Sequence, residues 1–171
     1  IKEIIMRKHL NIICVLALTF ILVGCGATKT MVLEPVERQD IVKKLRIEKD
    51  KSTTIVEPSV EKCFEEKLHD QLFKDAGFQE GNDITLKYRF LQMNEGSRFA
   101  RWMTGGIGNC GEGSSTVEVL FIDNSRNAKE IGKINAQGTI GSGFFGGSLD
   151  SAIEGIAEEI ATYTKANFKV N

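Results

Sequence analysis

Apolar and polar positions alternate most regularly at residues 84–90, where Ile84, Leu86, Tyr88 and Phe90 are interleaved with Thr85, Lys87 and Arg89. A period of two places one set on each side of a pleated strand, so this segment predicts a half-buried β-strand. The period changes upstream. After Pro58, which suits the first helical turn, Val60, Phe64, Leu68 and Leu72 recur every fourth residue with Cys63 beside them, predicting a helix. Gly77 supplies its C-terminal stop, and Phe78 is placed to fold back over the last turn. A second helix is predicted near the C-terminus. There Leu149, Ile153, Ile156, Ile160 and Tyr163 line one face, while Asp150, Glu154, Glu158 and Glu159 line another.

Between these markers the pattern is weaker. Val36 to Thr54 reads as strand-like and charged, with Leu45 and Ile47 set against Lys44, Arg46 and Glu48. Val117–Asp123 reads as a strand, Asn124-Ser125-Arg126-Asn127 as a turn, and Glu130–Ile140 as the strand that returns. Gly96–Gly113 and Gly141–Gly147 read as glycine-rich loops. The expected order is strand, helix, three strands, helix. It predicts an α+β domain, a mostly antiparallel sheet of about four strands with two helices on one face.

The N-terminal segment has a different character. From Leu10 to Val23 only Asn11 and Thr19 are polar, and the run follows Arg7, Lys8 and His9. It is too short for a bilayer span, which needs about 20 apolar residues. A charged stretch, an apolar stretch and a small residue before a cut site describe a secretory signal peptide, with Met6 as the expected start. Leu22-Val23-Gly24-Cys25 resembles a bacterial lipobox, after which the signal is cleaved and the new N-terminal cysteine is lipidated. The resemblance implies residues 1–24 as signal peptide, Cys25 as the lipid attachment site, a palmitate-type anchor and a cell-envelope address. Residues 25–33 then read as a lipidated tether and 34–171 as a single periplasmic domain. Gly26 stands where inner-membrane lipoproteins place Asp, which implies the outer membrane in a bacterium with two membranes.

Charge narrows the partners. Residues 1–24 carry Lys2, Arg7 and Lys8 against Glu3, so their removal takes 22 basic and 23 acidic residues to 19 and 22, a net of −3. Nucleic-acid binders carry a strongly basic face, so that class is excluded. The expected partners are the membrane, through the anchor, and another envelope protein or a cell-wall component.

Several motifs bear on chemistry. Gly106-Ile107-Gly108-Asn109-Cys110-Gly111 matches a dinucleotide fingerprint but runs into a strand, where the fingerprint must open a helix. Gly141-Ser142-Gly143-Phe144-Phe145-Gly146 does precede a helix, yet no second parallel strand or ribose-binding acid follows it. Glycine turns explain both; the functional alternative is an envelope enzyme or small-molecule-binding protein with a ligand or partner rim built from Gly106, Gly108, Gly111, Gly141, Gly143 and Gly146. Glu66-x-x-His69 has di-iron spacing in a single copy where such sites use two, so it predicts a solvated helix face. Adjacent Glu158 and Glu159 point about 100° apart on a helix and do not form an acid/base pair. Arg98-Phe99-Ala100-Arg101-Trp102-Met103 reads as a short helix burying its apolar members, with a membrane or partner contact as the other reading. Cys63 and Cys110 either pair, which would contribute about 4 kcal/mol by loop closure, or stand as separate thiols. No catalytic residues, cofactor or metal site emerge, and a non-enzymatic binding role is expected.

The lipobox, the run Thr104–Gly113, the strand Val117–Asp123 and Gly143-Phe144-Phe145-Gly146-Gly147 before a helix together resemble bacterial lipoproteins of domain of unknown function 4410. That family implies an envelope lipoprotein and carries no catalytic residues over. Cys110 departs from the small residue expected within its glycine run. The order of elements also looks like the small α/β domain of TolB-type periplasmic proteins, an analogy of fold alone.

Overall fold

The strand predicted at residues 84–90 forms the middle of β3 (Ile84–Asn94), and its alternation decides how the domain is layered. Ile84, Leu86, Tyr88 and Phe90 are wholly buried on one face, while Lys87 and Arg89 on the other are half-buried. The computed structural model describes residues 28–36, 44–94, 113–140 and 149–168. In chain order the remaining elements are β1 (Thr28–Glu34), β2 (Leu45–Lys49), helix α1 (Pro58–His69), β4 (Gly113–Asp123), β5 (Lys129–Ile140) and helix α2 (Leu149–Asn167). They form one five-stranded sheet in the order β1-β5-β4-β3-β2.

The α+β class stands, with two corrections to the expected sheet. First, β2 pairs with β3 in parallel, whereas the other three pairings are antiparallel. A parallel neighbour requires a crossover connection, and α1 supplies it. Second, the sheet has a fifth strand. Residues 28–33, read from the sequence as tether, lie in β1 along the edge of β5, with Thr28 opposite Gly138 and Val32 opposite Ile134. Two side-chain bonds hold β1 to α2. Thr30 Oγ1 donates to Glu159 at 2.9 Å, and the Val36 N–H donates to Tyr163 Oη at 3.3 Å.

Both helices cover the face that carries Tyr88. Phe64 of α1 meets Tyr88 and Phe90 edge-on at 5.0 and 5.2 Å between ring centroids. Such pairs add stabilisation beyond their buried area. Ile153, Ile156 and Ile160 of α2 are buried, and Phe121 of β4 packs against Tyr163 and Phe168 at 5.9 and 5.6 Å. The helices also meet each other, with Lys67 Nζ bonded to Glu154 at 2.8 Å. The opposite face is charged. Arg89 holds the nearly buried carboxylate of Glu118 at 2.6 Å, and Lys133 lies 3.2 Å from Glu130 and 3.8 Å from Glu34.

Helix α1 ends as its sequence predicts, after one detour. Asp70–Asp75 form a π-helical turn, in which the Ala76 N–H donates to the Gln71 carbonyl five residues back. Gly77 then takes a φ of 76°, open to glycine at little cost, and the Phe78 N–H returns to the Leu72 carbonyl at 3.1 Å while its ring is buried. The turn at Asn124–Arg126 is likewise confirmed, capped by the Asp123 carboxylate accepting from the Ser125 N–H.

Two predictions follow from this packing. Gly138 sits where α2 crosses β5, and a Cβ there would stand 2.7 Å from the Ala152 carbonyl oxygen. Backbone cannot step aside as a side chain can, so Gly138→Ala should lower unfolding free energy by about 2 kcal/mol in urea titration. Tyr88 is wholly buried and donates to Glu65 Oε1 at 2.5 Å. Burial first, and then this bond, push its phenol well above the ordinary value of 10.0. In the unfolded chain the phenol ionises near 10.0 while the folded phenol stays protonated, so stability present below pH 10.0 is lost as pH rises beyond it. Tyr88→Phe should flatten that alkaline loss in denaturation followed between pH 8 and 11.

Candidate functional site

A concave feature among the described residues lies where β2 begins. The Leu45 N–H donates to Gln79 O and the Gly81 N–H donates to Leu45 O, both at 2.9 Å, so the polar turn 79–83 runs alongside the strand. This fixes Glu80 across from the end of α1. Between them is a groove of about 430 Å³ with Leu45, Ile47 and Phe73 supplying apolar surface and Arg46, His69, Glu80 and Asn82 supplying polar groups.

His69 is central to its lip. One ring nitrogen lies 3.0 Å from Glu80 Oε1 and the other 3.7 Å from Asp70 Oδ1, while Phe73 packs on the ring at 4.8 Å. The π-helical turn contributes here, since it carries Phe73 and Asp70 directly after His69. Lys74 bonds Asp70 at 2.7 Å and holds that carboxyl below the ordinary carboxylate value. Arg46 is engaged by Glu48 at 3.0 Å and by Thr85 Oγ1 at 3.3 Å. These groups are solvent-accessible, so water and salt screen each pair and leave it little weight in stability. Together they place an apolar surface between groups of both charge signs, a chemistry suited to an amphipathic group.

Glu66 pairs with Lys62 at 3.7 Å while His69 turns to Glu80, and among the described residues no cluster of metal-ligating side chains occurs. Glu158 and Glu159 diverge as their spacing predicts: Glu158 is exposed, while Glu159 bonds Thr30. Cys63 is half-buried on α1, and its proposed partner Cys110 lies outside the described residues. So do Cys25, the stretch Arg98–Met103 and the glycines 106, 108, 111, 141, 143 and 146. The residues flanking the two glycine loops are described. Asn94 pairs with Ser114 and Gly113 with Ile140, so both loops leave the sheet at one end, opposite the groove. No helix among the described residues is long and apolar enough to cross a membrane.

Arg46, Phe73, Glu80 and Asn82 carry no motif that would single them out in the sequence. The turn residues Gly81 and Asn82 mark a loop, and only the parallel pairing of β2 with β3 brings that loop against α1.

A family model described as a domain of unknown function, DUF4410, matches residues 38–143. Among solved structures, the fold is similar to the PelC dodecamer from Paraburkholderia phytofirmans, with a TM-score of 0.54 at 14% identity over 81% of this chain and 96% of that one. It is also similar to a leucine-to-methionine variant of that dodecamer, at 0.51 and 15% identity over 84% and 98%. A comparison with curated proteins finds no match.

Proposed function

The chain belongs to the DUF4410 family, and from that premise we propose a lipid-anchored envelope protein whose periplasmic domain binds another envelope component. The groove carries this reading. Its polar groups are already paired and exposed, an arrangement suited to docking a protein or cell-wall group rather than to transforming a substrate. Attachment at Cys25 is supported by Leu22-Val23-Gly24-Cys25 after a short apolar run. Two or more acyl chains there would make attachment effectively permanent, and outer-membrane residence is proposed on Gly26.

Cross-linking in intact cells tests both halves. The wild-type chain should incorporate labelled palmitate and give a defined adduct. Cys25→Ser should lose the palmitate and leave the membrane fraction. Glu80→Lys, at an exposed position on the groove lip, should retain the palmitate and lose the adduct. If the adduct persists unchanged in Glu80→Lys, the groove is not the binding surface.

One observation favours a second reading, self-association. β1 is an outer strand that exposes Met31, Val32 and Leu33 in succession, and an apolar edge of this kind is a template for pairing with another chain. The similar PelC structures are dodecamers. Sedimentation of the detergent-solubilised chain should then show an assembly that Val32→Lys dissociates; a monomer in the wild type excludes it.

A further inference from the structure

The path of β1 sets how this domain stands on a membrane. Thr28 is the first residue of the sheet and only three residues beyond Cys25. At 3.8 Å between consecutive Cα atoms, the lipid-bearing residue lies within about 11 Å of Thr28. The tether read as residues 25–33 therefore shrinks to a leash too short for the body to turn over.

The sheet register shows which end is held. Thr28, Gly138, Ser115 and Met93 form one row across β1, β5, β4 and β3. At the other end Lys129, Asp123, Ile84 and Leu45 form the corresponding row. The segment between β2 and α1 belongs to the first end. The Thr53 N–H donates to Phe90 O, and Thr53 Oγ1 donates to Leu91 O, both at 2.9 Å near the close of β3. Two residues on, Ile55 is 94% exposed, the barest large apolar side chain among the described residues. A solitary exposed apolar residue needs no explanation by itself. This one stands at the end that the leash brings to the bilayer.

Resting on the anchor reading above, we propose that the end bearing Thr28, Met93 and Ile55 lies on the bilayer surface with Ile55 in the headgroup interface. The His69–Glu80 groove then faces away from the membrane. The nine steps from Ile84 to Met93 along β3, at about 3.3 Å each, separate the two ends by about 30 Å, well beyond the depth of the headgroup layer. Interfacial burial of an aliphatic side chain is favourable and needs no structural change in the domain.

The test uses the full lipidated chain in vesicles of phosphatidylethanolamine and phosphatidylglycerol. A benzophenone amino acid replaces Lys29, Ile55 or Ser125 in turn, all of them exposed; the change at 125 removes the hydroxyl's bond to Asp123 but keeps the backbone N–H cap on that carboxylate, and circular dichroism checks that each variant folds. Lys29 and Ile55 probe the leash end, and Ser125 probes the far end. Illumination should give phospholipid adducts from positions 29 and 55 and none from 125. Adducts from 125 equal to those from 55, or none from any position in palmitate-labelled protein, would overturn the orientation while leaving the anchor intact. Failure to incorporate palmitate overturns the anchor reading and the orientation with it.

Discussion

The close seat of α2 on the sheet is the contact on which the rest depends. At Gly138 the helix backbone approaches β5 with no room for a side chain, and this brings Ile153, Ile156 and Ile160 down onto the strands. From that position α2 reaches every other layer of the domain. It bonds β1 through Glu159 and Tyr163, and it meets α1 through Lys67 and Glu154. A helix held farther out would leave β1 with one strand neighbour and little else to offset the cost of ordering it.

The recruitment of β1 has consequences beyond stability. It converts a stretch that would otherwise be flexible into part of a rigid sheet, so the chain enters the domain at one defined end. The groove formed by Leu45, Phe73, His69 and Glu80 occupies the other end, because β2 and β3 both begin there. Strand direction alone thus sets the entry of the chain and the groove at opposite ends of the sheet. The charged face of the sheet belongs to neither. Arg89 and Glu118 are spent on each other, as a nearly buried carboxylate requires a partner.

The groove also shows how a mixed apolar and charged surface arises without a motif. His69 comes from the end of α1, Phe73 from the π-helical turn, Glu80 from a loop and Arg46 from an outer strand. Each is an ordinary surface residue by sequence. Their convergence follows from a parallel crossover, which folds the connection between β2 and β3 back across the start of both strands.

Sequence alone determined the elements whose physics is local. The alternation at Ile84–Phe90, the fourth-residue spacing of Val60, Phe64, Leu68 and Leu72, and the Gly77–Phe78 stop each report on a few neighbouring residues, and each stands in the structure. The α+β class followed from the order of those signals. Tertiary structure decided what needs a partner far away in the chain. Thr28–Glu34 lacks the alternation that announces a strand, and only the edge of β5 and the bonds from α2 make it one. Alternation reads the same in either direction, and a helix between two strands does not by itself make them neighbours, so the parallel run of β2 beside β3 was settled only by their pairing. The groove depended on that direction, and was hidden for the same reason.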